Sequence, residues 1–347
     1  MASPKPITIV GGGLAGLTLG VGLRRRDIPV TVCEAGHYPR HRVCGEFISG
    51  QGQQALARLG LRETLMRAGA TTARTAAFFS THARSPARPL PAPALCLSRF
   101  TLDALLAQHF RRCGGDLREN QPWRANHFGD GVVRASGRRP QPVDQGWRWF
   151  GLKVHARNVP LAADLEMHLL PNGYVGLCRL KDGEVNVCGL FRRPAVAGAG
   201  RQHWQDILRG EADSPLRERL AGALLDETSF CSVAGLCLRP RRSSVGPECC
   251  LGDAQTMIAP VTGNGMSLAF ESAELAIEPL TAYSRGETTW PEARQTVARA
   301  CDDRFARRLT WARGLQWMMF APGLQSRFGS VVLRSEWLWR MMFARTR

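Results

Sequence analysis

A short apolar run, Ile7-Thr8-Ile9-Val10, passes directly into Gly11-Gly12-Gly13-Leu14-Ala15-Gly16 and then into an apolar helical stretch. This order of strand, glycine turn and helix constrains the chain more than any other feature. Glycines 11, 13 and 16 fit the G-x-G-x-x-G spacing: the first permits a tight turn, the second lets the backbone approach a pyrophosphate, and the third lets helix pack on strand. The helix N-terminus then presents its N–H groups to the anion. A second apolar run, Val30-Thr31-Val32-Cys33, leads into Glu34 and Ala35, near the distance expected of an acid that holds a ribose hydroxyl. Together these residues predict a βαβ unit that binds a dinucleotide.

The 347 residues allow one large or two medium domains. Met1 to Pro6 lacks a basic region followed by an apolar core, so no signal peptide is read and a cytoplasmic location is expected. The eleven cysteines contain no CxxC pair, and adjacent Cys249-Cys250 suit neither a usual disulfide nor a metal site; no metal is expected. The formal charge of +17 raises the question of nucleic acid, but the basic residues are almost all arginine, the only lysines being Lys5, Lys153 and Lys181. They are spread along the chain without a nucleic-acid-binding signature, so no nucleic-acid partner is expected. An anionic cofactor, an acidic substrate or an anionic membrane surface would each make use of the excess charge.

Along the chain, residues 14–26 read as the first helix. A long loop from Ala35 to about Gly50 carries His37, Arg40, His41, Arg42, Cys44 and Glu46; loops of this length in a compact domain are usually functional or disordered. Residues 53–68 have helical spacing, 74–81 are strand-like, 86–93 read as a proline-rich connection, and 101–112 form a helix capped by Thr101. From Trp147 to Phe191 short β-rich runs, with turns at Asn172-Gly173 and Asp182-Gly183, predict a small inserted antiparallel sheet. Residues 198–225 return to helix, 249–251 are a short strand, and the remainder is mostly helical.

A second glycine segment follows that strand. Gly252-Asp253-Ala254 and then Pro260-Val261-Thr262-Gly263-Asn264-Gly265-Met266 lead into a helix over about 267–280. Two such turns at opposite ends of a chain suggest one extended ligand spanning both. An aspartate at a strand end can bond a polyol, and a glycine-rich helix N-terminus can hold partial negative charge.

These segments resemble the FAD-dependent oxidoreductases of the p-hydroxybenzoate hydroxylase and geranylgeranyl reductase type, class A flavin monooxygenase-like proteins that include flavin halogenases. Residues 11–16 with Glu34 match the family's ADP-binding turn, Gly252-Asp253 with 260–266 its ribityl segment, and Arg42-Val43-Cys44-Gly45-Glu46 a motif of its reductase-like branch. Ser98-Arg99-Phe100-Thr101-Leu102-Asp103 resembles a segment in which an arginine approaches FAD. The resemblance implies an α/β fold: a Rossmann-like FAD-binding domain (1–140 and 232–285), an inserted antiparallel β-sheet substrate domain (141–231) and a helical C-terminus (286–347). It also implies FAD held by Gly11, Gly13, Leu14, Ala15, Gly16, Glu34, Ala35, Arg42, Gly45, Glu46, Arg99, Asp253, Pro260, Gly263, Asn264, Gly265 and Met266. Arg42, Arg99 and Asp253 each have a structural alternative as a surface arginine or a simple cap. The family's Asp-Gly segment is represented by Ser136-Gly137, the strands between Asp116 and Ser136 are trimmed, and NAD(P)H as electron donor stays open.

The catalytic residues are not fixed by the sequence. Cys44 is a candidate redox thiol, His155 and His168 are candidate acid or base groups, and Tyr174 is a candidate pocket residue; each is equally readable as structural. Trp147-Arg148-Trp149 partly imitates a halogenase signature, without its continuation and with neither Lys5 nor Lys181 convincingly placed. Phe305, Leu309, Ala312 and Met319 share a helix face, with Trp311 and Trp317 outside it and Trp337, Trp339 and Phe343 beyond. That predicts packing on the domain, with peripheral membrane contact as the alternative. The leading expectation is an FAD-dependent monooxygenase acting on a small hydrophobic or aromatic molecule. The alternatives are an FAD-dependent reductase or dehydrogenase for a lipophilic substrate, and a non-catalytic flavin-binding accessory protein.

Overall fold

The computed structural model describes residues 3–81, 83–125, 127–196, 203–321, 335–337 and 340–341. Trp339 and Phe343 lie outside them. Two sheets organise the chain. The first is five-stranded and wholly parallel. It comprises β1 (Ile7–Val10), β2 (Val30–Cys33), β7 (Asp116–Arg118), β8 (Val132–Arg134) and β14 (Cys249–Cys250), in the order β14-β8-β1-β2-β7. Against it pack α1 (Leu14–Arg24), α4 (Arg99–Arg112) and α7 (Gly265–Ser284). Strands buried on both faces need near-continuous apolar sequence, which Ile7, Ile9, Val30, Val32 and Val133 supply.

The second sheet has nine strands: β3 (Phe47–Ile48), β4 (Thr71–Ser80), β5 (Ala83–Arg84), β6 (Arg88–Cys96), β9 (Trp147–Arg157), β10 (Leu165–Leu170), β11 (Gly173–Arg179), β12 (Val185–Pro194) and β13 (Leu224–Ala234). Its order is β13-β9-β12-β11-β10-β4-β6-β3, with β5 on β4; all its pairings are antiparallel except β10 with β4. The expected turns at Asn172-Gly173 and Asp182-Gly183 join β10 to β11 and β11 to β12.

Two boundaries therefore move. The sheet is not confined to 141–231, because four of its strands lie within residues 47–96 and β13 reaches Ala234. Residues 86–93 are not a bare connection: Pro89, Pro91 and Pro93 sit within β6, where a register shift against β4 and the short pairing with β3 leave few ladder positions that require their missing N–H. The helix expected over 53–68 is two, α2 (Gln51–Arg58) and α3 (Arg62–Arg67), interrupted at Gly60 with φ 61°. Within 198–225 the helices among the described residues are the short α5 (Trp204–Arg209) and α6 (Pro215–Arg219), and residues 224–225 already belong to β13. Ser98, not Thr101, caps α4, accepting from the Thr101 N–H. Among the described residues, no strand lies between β7 and β8.

The chain closes with α8 (Trp290–Phe320), started by a capping box of Thr289 and Glu292. Phe305, Leu309, Ala312 and Met319 are buried in the core shared with α1 and α7, whereas Trp317 is 66% exposed.

Candidate functional site

Four chain segments leave the C-terminal ends of parallel strands side by side: Gly11–Gly16 after β1, Glu34 after β2, Ser136 after β8 and Gly252-Asp253 after β14. In an open parallel sheet this crevice is where a nucleotide binds. Gly11 has φ 109°, and a Cβ there would collide with the Ala135 carbonyl, so only glycine permits this approach. Gly13, the cap of α1, faces space with no atom within 4 Å of a Cβ position. The same is true of Gly265, the first residue of α7, whose cap Asn264 supplies no side-chain bond to its first turn. Both helices thus present uncapped N–H groups beside a glycine that a side chain would fill. A Cβ on Gly252 would lie 3.1 Å from that of Ala15, which brings the second glycine segment onto the first.

Glu34 is buried at the crevice floor. Its Oε2 accepts from the Gly12 N–H at 2.8 Å, and its Oε1 accepts from the Gly36 N–H at 2.9 Å and from Arg40. Burial would raise its pKa, but these bonds and Arg42 outweigh it and hold the carboxyl below its usual range. Arg99 grips buried Asp103 with two bonds, 2.6 and 2.7 Å, while Arg42 reaches the same carboxylate at 3.2 Å. Neither is a free surface arginine. Asp253 is open to solvent, yet protein crowds round it in a narrow cleft lined by Arg138, Arg139, Arg239 and Arg241. That enclosure raises its pKa against the pull of Arg99 and Arg138.

The long loop after β2 lies across one face of the second sheet. A Cβ on Gly151 would meet Val43 at 2.8 Å, Asn186 Nδ2 donates to the Cys44 carbonyl at 2.9 Å, and Phe47 packs against Gly263. At its end Glu46, buried with φ 59°, accepts from the Arg99 N–H at 2.9 Å and pairs with His155 Nε2 at 2.7 Å and Lys153 Nζ at 3.5 Å. Lys153 also meets His41 Nδ1 at 3.0 Å, and His155 Nδ1 lies 3.3 Å from Glu184. Burial alone would lower the His155 pKa, but Glu184 and Glu46 raise it overall.

The sheet's alternation separates the other candidates. On β10, His168 shares a face with Glu166 and Leu170, away from the crevice; it bonds Glu166 at 2.9 Å and stacks on Phe79 at 4.6 Å, next to Arg219 of α6. His168 thus lies on the sheet face opposite the crevice. Tyr174 faces the crevice side with Trp149, Leu169 and Leu190. Cys44 lies beside Arg99, but burial raises its pKa, which opposes its role as an activated thiol. Trp147 and Trp149 turn to the same side, both beneath the Arg192 guanidinium at 4.1 and 6.0 Å. Asp103, Glu184, Lys153 and His41 are not among the expected site residues, although His41 lies in the long loop and Asp103 in the Ser98–Asp103 segment; alternation of polar Lys153 and His155 in an apolar strand is a signal for the rest. An open groove of about 340 Å³ between Phe150, Phe191, Pro171 and Ile207 opens on the sheet's opposite face and is no part of the crevice.

Residues 5–144 match the protein family described as FAD binding domain. Over 310 residues the chain is 23% identical to squalene epoxidase from Aspergillus fumigatus, across 76% of this chain and 64% of that protein's length. The fold is similar to that of the halogenase PltM, with TM-score 0.74 at 15% identity over 99% of this chain and 83% of that one. It is equally similar to a geranylgeranyl bacteriochlorophyll reductase-like protein from Thermoplasma acidophilum, with TM-score 0.74 at 16% identity over 100% and 97%. Among the described residues no helix is long and apolar enough to cross a membrane.

Proposed function

We propose that this chain, which carries an FAD-binding domain at residues 5–144, is an FAD-dependent monooxygenase acting on a small hydrophobic or aromatic molecule. The observation that carries the reading is the meeting of two open helix N-termini, at Gly13 and Gly265, across the Gly252–Ala15 contact. A mononucleotide would need only the first. FAD would supply the redox chemistry, taking electrons from a donor and passing them to oxygen.

The chain's own residues bind, orient and exclude water. Glu34 would fix the adenosine ribose. Arg42, Arg99 and the arginines around Asp253 would offset the pyrophosphate charge, and Asp253 would accept bonds from the ribityl hydroxyls. The N–H groups of 263–266 would face the flavin's pyrimidine edge. Trp149, Leu169 and Leu190 would form a dry wall for the substrate. His155, held between two carboxylates and buried, would position Glu46 and through it the Arg99 backbone. Squalene epoxidase acts, by its name, as an epoxidase, and oxygen insertion into an apolar molecule fits this wall.

Anaerobic addition of NADH or NADPH to the FAD-loaded protein, then oxygen, tests the reading. Flavin bleaching followed by oxygen uptake that yields an oxygenated product supports it. Substrate turnover without oxygen would replace it with the reductase or dehydrogenase reading, and flavin that resists reduction by both donors would favour an accessory role. The exposed Trp311 and Trp317 support a second proposal, contact with an anionic membrane surface. Absence of co-sedimentation with anionic liposomes at low salt would end it.

A further inference from the structure

Two arginine-rich segments lie side by side where the chain crosses between the two sheets. Residues 138–144 lead from β8 toward β9, residues 235–246 lead from β13 toward β14, and the Gln141 N–H donates to the Gly235 carbonyl at 2.8 Å. Together with β8 they carry Arg134, Arg138, Arg139, Arg239, Arg241 and Arg242. Neighbouring acids bind part of this charge: Glu248 pairs with Arg134 at 2.9 Å and with Arg139 at 2.5 Å, and Asp144 pairs with Arg239 at 2.5 Å. Among the described residues no carboxylate stands at ion-pair distance from Arg138, Arg241 or Arg242, and all three are exposed.

The second segment is fastened in place. The Arg241 N–H donates to Thr256 Oγ1 at 3.1 Å, and Asp302 of α8 accepts from the Ser243 and Ser244 N–H groups at 2.8 and 3.1 Å. Two of the large apolar side chains exposed among the described residues fall on these same segments, Val143 at 39% and Val245 at 82%. Exposed apolar side chains set among held charges of one sign suit contact with an acidic protein.

The position says what that protein does. Asp253, which would hold the ribityl chain, lines the cleft together with Arg138, Arg139, Arg239 and Arg241, so a partner on this rim lies against the middle of the cofactor. The cleft has free space of about 10 Å³, room for about one water. A donor's ring cannot enter it, and electrons would have to cross from a docked surface. Electron-transfer encounters are small, under about 1,200 Å², and are steered by charge. Three unpaired arginines on a compact rim fit that scale. We propose that this rim docks an acidic redox protein that reduces the flavin. Two reduced partners in turn give one electron each and are oxidised, and the flavin takes one proton from solvent. The electron-donating role rests on the flavoenzyme reading above; the acidic docking surface does not.

The probe is a plant-type [2Fe–2S] ferredoxin, a small acidic protein. Its oxidised form is titrated by calorimetry into the chain with and without FAD; its reduced form is mixed without oxygen with the FAD-loaded chain while flavin bleaching is followed. Binding is expected with and without FAD, weakening about tenfold or more between about 0.05 and 0.5 M salt. Bleaching is expected to be about tenfold or more faster than with NADH or NADPH at equal concentration. Arg241→Glu combined with Arg242→Glu should weaken binding and slow bleaching by about tenfold or more. Arg62→Glu combined with Arg67→Glu makes the same charge change at exposed positions of α3 and should stay within about twofold. Each variant's bleaching is scaled to its photoreduction with a deazaflavin, which needs no docking. Absent or salt-independent binding, equal losses in the two double variants, or faster bleaching by a nicotinamide overturns the proposal. Ferredoxin that binds this rim on a chain that takes up no FAD would instead overturn the flavoenzyme reading and leave the acidic docking surface standing.

Discussion

Gly11 and Gly13 stand two residues apart and are constrained for opposite reasons. Gly11 is fixed by its own fold, through φ 109° and the Ala135 carbonyl, so Gly11→Ala is expected to destabilise the protein by about 2 kcal/mol or more in urea unfolding. Gly13 has room for a side chain and an extended backbone, so Gly13→Val should unfold at the wild-type midpoint yet lose FAD affinity about a hundredfold. A Gly13→Val protein that binds FAD normally would remove the pyrophosphate from this turn. His41 gives a pH signature. Burial, Lys153 and His155 push its pKa down to about 4, whereas in the unfolded chain it titrates near 6.5. The unfolded state therefore takes up a proton first, and stability is lost as pH falls from about 6.5 toward 4. His41→Gln should flatten the loss between pH 7 and 5.5; an unchanged slope in denaturant titrations would contradict this.

At the scale of elements, the loop after β2 is held down by buried charge. Lys153 and Glu46 are fully buried, and removing one member of such a pair costs about 3 kcal/mol. Lys153→Met is expected to lower stability by that order and to expose residues 35–50 to limited proteolysis. The α8 helix belongs to the core: Phe305→Ala should cost about 3–5 kcal/mol, and Trp317→Ala less than about 0.5. Comparable effects at the two positions in urea titrations would contradict the packing. The face of α8 was legible because 3.6-residue spacing is local. The Lys153, Glu46, His155 and Glu184 network was not, because its members come from three segments and meet only through sheet register. The prolines of β6 hid a strand for a related reason, since a missing N–H counts against a strand only where a partner needs it. His168 faces away from the crevice because one residue of alternation decides the face.

For the whole molecule, the parallel sheet was foreseen from glycine chemistry and strand order, while the extent of the second sheet depends on pairings between residues 47–96 and 147–234 that no local pattern carries. The central claim is that two turns about 250 residues apart hold one FAD. It is tested most directly by calorimetric titration of FAD and ADP into wild-type protein and the Gly265→Val variant, a substitution with space around it. The account predicts one FAD per chain, bound at least a hundredfold more tightly than ADP, with Gly265→Val abolishing that advantage and leaving ADP affinity unchanged. FAD bound no better than ADP by the wild type, or FAD affinity untouched by Gly265→Val, would contradict it.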